Sequence, residues 1–134
     1  MAEPQRLTLL AADFSDLPPL SALVQDAIVR AGDVVWDRRS RRLVLIASRY
    51  RWEIGDKTRV RAALRVESVI MVQQIGWPRD ADAILDLLAI ARVEDTIVLT
   101  FAGATSLRAE VECVDLVLED LSSGWDVRHI PRHD

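Results

Sequence analysis

The stretch that decides the fold runs from residue 43 to residue 66 and reads LVLIASRYRWEIGDKTRVRAALRV. Its side chains alternate with a period of two, which is typical of β-strands. The alternation is interrupted at 55–58 by Gly-Asp-Lys-Thr, a composition that favours a tight turn. We therefore predict a long strand over 43–54, a turn at 55–58 and an antiparallel return strand that continues to Val72.

This hairpin carries five arginines that alternate with other side chains along the two strands: Arg49, Arg51, Arg59, Arg61 and Arg65. If the return strand turns Val60 toward the same core as Ile46, all five guanidinium groups lie on the opposite face. Arginine clusters bind phosphate, carboxylate or an acidic partner surface through charge-assisted hydrogen bonds. The alternative is a solvated strand face whose charges are balanced by intrachain ion pairs, each contributing little.

The residues before the hairpin predict the one main helix. Apolar side chains recur at helical spacing from Leu17 to Ile28, and Pro18 and Pro19 suit a first helical turn. Gly32 stands where a glycine often ends a helix. We expect a helix from about Leu17 to Arg30, lying across a sheet.

Short apolar runs predict further strands in the second half of the chain. Val69–Val72 is apolar on both faces, so we expect that part of the strand to be fully buried. Strands are also predicted over 84–93, 96–101 and 107–113, with Cys113 on the buried face. Residues 114–121 fit either a bulged continuation of that last strand or a helix, and we favour the strand.

Together these elements predict one α+β domain over residues 1–134, with a core at about 7–121 and a tail at 122–134. The expected fold is one curved, mainly antiparallel sheet or partial barrel of six to seven strands with one main N-terminal helix. A pleckstrin-homology-like roll is one architecture that fits, by analogy only.

Charge is unevenly spread along the chain, whose net charge is −4. Residues 30–65 contain eleven basic and four acidic side chains, whereas residues 66–134 contain five and thirteen. The two halves can attract each other within the fold or across a homodimer, or the basic half can bind an acidic partner. The net negative charge argues against a nucleic-acid partner. A single cysteine favours a reducing cytoplasm, and no apolar run is long enough to predict a membrane span.

Few other residues suggest a site. Trp77 and Trp125 fall in loop and tail contexts, where an indole can anchor a partner, whereas Trp36 and Trp52 are expected in the core. His129 and His133 lie in the tail and their spacing matches no common metal site, so we predict no metal. No cofactor motif is present, and no catalytic residues can be assigned.

Several segments together resemble a known family. They are Gly32–Trp36, Ala47–Glu53, Leu99–Ala104, Leu107–Val114, Leu118–Leu121 and Pro131–His133. From about Leu7 to His133 the chain resembles a family of small alphaproteobacterial proteins known only as a domain of unknown function. The resemblance implies a bacterial cytoplasmic protein and carries no activity, cofactor or site residue.

The residues therefore favour a non-enzymatic cytoplasmic binding or adaptor module. In this hypothesis the arginine-rich strand face binds an acidic protein surface or a second copy of the chain. The alternative is a small enzyme or ligand-binding protein that recognises a phosphate-bearing or carboxylate small molecule. In that case Arg49, Arg51 and Arg61 would clamp the anion in a concave cleft.

Overall fold

The structure is a computed structural model that describes residues 6–55 and 58–121 and the backbone of 125–126. It contains a short 3-10 helix at Phe14–Asp16 and one α-helix, α1 (Leu17–Leu23). The strands are β1 (Thr8–Ala11), β2 (Ala27–Asp37), β3 (Arg42–Tyr50), β4 (Thr58–Val66), β5 (Val69–Ile75), β6 (Ile84–Val93), β7 (Thr96–Phe101), β8 (Thr105–Val111), β9 (Leu116–Asp120) and β10 (Trp125–Asp126).

All strand pairs are antiparallel and belong to one sheet. Nine strands follow the order β1-β9-β4-β3-β2-β6-β7-β8-β5, and the two-residue β10 pairs with β4. Within the described residues the sheet is not closed, so β1 and β5 form its two edges. The eleven-residue β2 pairs with both β3 and β6 and thereby joins the two halves of the sheet.

The mainly antiparallel sheet with one helix is confirmed, but the prediction of six to seven strands is wrong. Two predicted strands are each divided in two by a break that alternation alone does not reveal. One break lies at Glu67–Ser68, where Ser68 has a φ of 57°, and it separates β4 from β5. The other lies between Val111 and Leu116 and separates β8 from β9, which pair in different halves of the sheet. Residues 116–120 are therefore a strand, as favoured, but a new one and not a bulged continuation.

The predicted helix is also too long. The chain enters α1 through Asp13, whose carboxylate accepts from the Phe14 amide, and Pro18 and Pro19 lie in the first turn as expected. The helix ends at Leu23, and Asp26 adopts a left-handed φ of 62° that reverses the chain into β2. In β2, every second side chain is buried at the start of the strand, namely Ala27, Val29 and Ala31. This alternation identifies the segment as a strand and not as the second half of a helix.

Gly32 lies inside β2 and does not end a helix. A Cβ at this position would come within 3.0 Å of the Ala81 carbonyl oxygen, and the Gly32 amide donates to that same oxygen at 2.7 Å. The glycine is therefore required by the close approach of the 80–83 loop to the strand.

One inner face of the sheet forms the hydrophobic core. In β3 and β4 the inward side chains are Leu43, Leu45, Ala47, Ala62, Leu64 and Val66. From α1, Leu17 and Leu20 complete this core, and α1 lies against β6. The strands predicted at 84–93 and 96–101 are confirmed, with Ile97, Leu99 and Phe101 fully buried. The strand predicted at 107–113 is present as β8 but ends at Val111.

Full burial of residues 69–72 is wrong. Val69 is buried, but Ile70 and Met71 are 51% and 58% exposed. The reason is topological, because β5 is an edge strand and only β8 pairs with it among the described residues.

Candidate functional site

The register of β3 against β4 divides the predicted arginine face between two sides of the sheet. Arg49 pairs with Val60 and points inward with it, whereas Arg59, Arg61 and Arg65 pair with Tyr50, Ser48 and Val44 and point outward. The prediction that all five arginines share one face is therefore wrong. Both alternating sets of β3 are apolar near its start, so periodicity alone does not show which set faces the core.

Arg49 is fully buried and takes part in an ion network at one end of the sheet. Its Nε and Nη2 donate to the two carboxylate oxygens of Asp120, each at 3.0 Å. Nη1 and Nη2 donate to the two oxygens of Glu53, each at 2.9 Å, and Nη1 also donates to the Tyr50 carbonyl at 3.0 Å. A guanidinium has five N–H donors, so every donor of Arg49 is used.

This network links distant parts of the chain. Arg49 ends β3, Glu53 lies in the following turn and Asp120 ends β9. Asp120 also accepts from the Leu7 amide at 2.9 Å, which attaches the segment leading into β1. Because its donors are all satisfied inside the protein, Arg49 is a structural residue and cannot clamp an external anion.

The pKa shifts of Arg49 and Glu53 both favour the charged forms of these side chains. Burial on its own would lower the pKa of the Arg49 guanidinium, but its hydrogen bonds to Glu53 and Asp120 outweigh burial and raise it. The hydrogen bond from Arg49 is also the largest cause that lowers the pKa of Glu53. Removing one member of such a buried group leaves the others charged and unpaired, which is strongly destabilising.

Arg59 and Arg51 are also largely withdrawn from solvent, with exposed fractions of 7% and 8%. The guanidinium carbon of Arg59 lies 3.8 Å from the centroid of the Tyr50 ring, and its Nη1 donates to the Ser48 carbonyl at 2.7 Å. Arg51 follows the end of β3, and its Nη1 lies 3.4 Å from the Thr58 hydroxyl. These contacts hold both side chains against the hairpin, so they offer little surface to a partner.

Arg61 and Arg65 remain at the surface. Arg61 is exposed and Arg65 is partly exposed, and both point outward from β4. Between and beside them on the same face lie Val44, Ile46 and Ala63, all of them partly exposed. We call these five residues the outer-face patch.

The neighbourhood of the outer-face patch is mixed in charge and apolar at its ends. Glu119 pairs with Ala63 from β9 and so stands diagonally beside both arginines. At one side of the patch, Val35 of β2 lies opposite Val44 and is 56% exposed. At the other side, Leu10 of β1 lies opposite Val117 and is 65% exposed. The patch is thus a basic pair set in exposed aliphatic surface, with one carboxylate at its margin.

A pair of aspartates near the hairpin was not identified from the sequence. The pKa of Asp86 is raised, mainly by burial and then by the negative charge of Asp26, with which it also shares a hydrogen bond. The Oδ1 atom of Asp86 is buried and has no hydrogen-bond partner among the described residues. The left-handed turn at Asp26 brings the two together, and alternation in sequence gives no sign of such a turn.

The structure corrects the predictions for Trp52 and Cys113, whereas the anchor role of Trp77 stays a prediction. Trp77 is partly buried, with its ring edge-on to Phe101 at 5.7 Å between centroids, so it belongs to the rim of the core. Trp52 is 47% exposed, not in the core, and its Nε1 donates to the Gln25 carbonyl at 3.0 Å. Cys113 is exposed because the chain leaves β8 at Val111, two residues before it. Trp36 is partly buried against the core as expected.

The predicted anchor at Trp125 concerns a side chain outside the described residues. The backbone of Trp125 pairs with Arg59 in the strand pair of β10 and β4. His129, His133 and the rest of the predicted tail also lie outside the described residues, as do Asp56 and Lys57 of the hairpin turn.

Neither a metal centre nor a membrane helix is found in the part of the chain that the structure describes. No group of three or more His, Cys, Asp or Glu side chains there is arranged to hold a metal ion. No described helix is both long and apolar enough to cross a bilayer.

The chain was also compared with known proteins. No curated protein and no solved structure matches it. A protein-family model does match, over residues 7–133, and this range includes every strand and the helix described above. The chain therefore belongs to the family described as "Protein of unknown function (DUF2948)".

Proposed function

We propose that this chain is a non-enzymatic binding module of the bacterial cytoplasm that docks an acidic protein surface on its outer-face patch. The supporting observation is the outward position of Arg61 and Arg65 on β4, four residues apart and surrounded by partly exposed aliphatic side chains. Residues four apart on a strand are separated by about 13.6 Å, so the two side chains leave the strand at a defined spacing.

This spacing suits a partner that carries two carboxylates on one face. Acidic residues four apart on an extended strand have a similar separation. Each arginine can then donate a pair of hydrogen bonds to one carboxylate, and the aliphatic surface of Val44 and Ile46 supplies area that excludes water from those hydrogen bonds.

The small-molecule alternative loses its main support. It required Arg49, Arg51 and Arg61 to converge on one anion, but Arg49 and Arg61 point to opposite faces of the sheet. The pleckstrin-homology-like architecture stays a prediction, and fold analogy alone assigns no function.

The proposal is tested by affinity capture from bacterial lysate with quantitative mass spectrometry. The test variant is Arg61→Glu/Arg65→Glu, and the matched control is Arg39→Glu/Arg79→Glu, which changes the net charge equally at two other exposed positions. We expect an acidic protein to be captured by the wild type and the control and lost with the test variant. Equal capture by both variants would remove the outer-face patch from the proposal.

A further inference from the structure

The β2–β3 turn covers the start of the edge strand β5, because the Val69 amide donates to the Arg41 carbonyl at 2.9 Å. From Ile70 onward, β5 lacks the features that normally protect a sheet edge. Edge strands expose unpaired backbone N–H and C=O groups, and natural proteins usually protect them with charges, proline or very short length. The sequence of β5 is VIMVQQI over Val69–Ile75, seven residues without a charge or a proline. In addition, Ile70, Met71 and Ile75 are 51%, 58% and 37% exposed. By contrast, the opposite edge, β1, is only four residues long.

A groove of about 580 Å³ runs beside the first half of β5. Its walls include Trp36 of the β2–β3 hairpin and the exposed side chains of Ile70 and Met71. Two arginines and two glutamates at its rim balance each other formally, and one pair, Arg41 and Glu112, is joined by an ion pair of 2.5 Å. A strongly charged partner of either sign would therefore gain no net electrostatic attraction at this edge.

We infer that the occupant is a second copy of this chain, whose β5 pairs antiparallel with the first β5 about a two-fold axis. A pairing centred on Val72 places residues 70–74 of the two strands opposite one another and keeps the hydrogen bond from the Val69 amide to Arg41. Met71 then lies opposite the partner subunit's Gln73, and Gln73 lies opposite the partner subunit's Met71. The two sheets become continuous across the interface, which satisfies the backbone groups of residues 70–74 at both edges.

The charges that flank β5 support this pairing. Along β8, Glu110 pairs with Met71 and Arg108 pairs with Gln73, and these four side chains share the outward face. The two-fold axis continues each row of paired side chains into the partner subunit. The row that starts with Glu110 and Met71 therefore continues to Gln73 of the partner subunit and ends at Arg108 of the partner subunit. Every such row thus has opposite charges at its two ends, whereas a shift of two residues would place like charges at the ends of one row.

The register can be tested with two variants that differ only at residue 73. In Met71→Lys/Gln73→Lys, lysine lies opposite lysine twice across the interface, and like charges directly opposite destabilise strand pairing. In Met71→Lys/Gln73→Glu, lysine lies opposite glutamate twice. Both positions are exposed on the outward face, and each new charge in the second variant also faces the opposite charge on β8.

The measurement is sedimentation velocity over a dilution series, with circular dichroism to verify folding. We expect the wild type and Met71→Lys/Gln73→Glu to sediment as dimers of twice the 15.1 kDa chain mass. For Met71→Lys/Gln73→Lys we expect a dimer dissociation constant at least about tenfold higher. A monomeric wild type at every concentration, or equal dimerisation of the two variants, would overturn the inference. Arg61→Glu/Arg65→Glu should dimerise like the wild type, so this result is separate from that of the outer-face patch.

Discussion

Arg49 and Asp120 meet at the ends of β3 and β9 through two parallel hydrogen bonds of 3.0 Å, and both side chains are almost completely buried. A bidentate arginine–carboxylate pair in this position fixes the distance and orientation of the two strand ends. Strand β4 lies between β3 and β9 in the sheet, so the pair spans three strands. Arg49, whose five donors are all used within the protein, is therefore part of the scaffold.

Replacement of Arg49 tests this structural role. Arg49→Met leaves the carboxylates of Asp120 and Glu53 without their cation, so we expect a loss of about 3–5 kcal/mol in the free energy of unfolding. Urea unfolding followed by tryptophan fluorescence measures the difference. Arg39→Met is the matched control on the exposed β2–β3 turn and should change stability by less than about 0.5 kcal/mol. Similar losses for the two variants would mean that the network contributes nothing specific.

Glu53 makes the stability of the folded chain depend on pH in the acidic range. Its pKa lies below the ordinary glutamate value because Arg49 donates hydrogen bonds to its charged form. The native state therefore holds this proton less tightly than the unfolded chain, and the stabilisation is complete above about pH 4.3 and lost as the pH falls through the native pKa. Glu53→Gln should lower stability at pH 7 by roughly 1 kcal/mol and have a smaller effect near pH 3.

The check is a series of thermal melts of the wild type and Glu53→Gln between neutral and acidic pH. The two melting temperatures should converge as the pH falls. A difference that is the same at both ends of the range would show that the glutamate acts through packing and not through its charge.

Asp86 should show the opposite pH dependence. Its pKa is raised, chiefly by burial and then by the charge of Asp26, so its ionised form is disfavoured in the native state. Stability is then lost as the pH rises from about 3.9 through the raised native pKa. Asp86→Asn removes this charge, and we expect a gain of less than about 1 kcal/mol at pH 7 that disappears below about pH 4. Chemical unfolding at the two pH values measures the gain, and a loss of stability at pH 7 would contradict the assignment.

Two glycines with positive φ allow the cost of a left-handed backbone to be measured apart from the cost of a steric clash. Gly76 has a φ of 63°, and a Cβ there would lie 2.6 Å from the Ala104 carbonyl oxygen. Gly103 has a φ of 82° and open space around its Cα. Gly103→Ala should therefore show only the left-handed cost of about 1–2 kcal/mol, and Gly76→Ala should cost clearly more. Equal losses in urea unfolding would mean that the 103–105 turn moves freely away from residue 76.

The β3–β4 hairpin shows which features the sequence predicts and which it does not. In β4 the apolar set Val60, Ala62 and Leu64 alternates with arginines, so the sequence predicts the inward face of this strand correctly. In β3 both sets are apolar near its start, and Leu43 and Leu45 compete with Val44 and Ile46 for the core. Only the register with β4 decides between them, and register depends on pairing across the turn, which alternation within one strand does not encode.

The helix shows a second limit. Between Leu20 and Val29, apolar residues satisfy the helical spacing and the strand spacing at the same time, so a helix–strand boundary inside this segment is invisible to periodicity. Asp26 marks the boundary by its left-handed φ, yet aspartate is also common in ordinary turns and on exposed helix faces. The break at Ser68 is not predicted, because apolar residues continue on both sides of it. The irregularity after residue 113 is predicted, but as a bulge within one strand and not as the end of β8.

The most direct measurement of the central claim is arginine footprinting with a dicarbonyl reagent and mass spectrometry, on the free chain and on its complex with a captured acidic partner. In the free chain we predict fast labelling of Arg61 and Arg65, little labelling of Arg59 and almost none of Arg49. In the complex, Arg61 and Arg65 should become protected while Arg39 stays reactive. Rapid labelling of Arg49 in the folded chain, or unchanged labelling of Arg61 and Arg65 in the complex, would contradict the account.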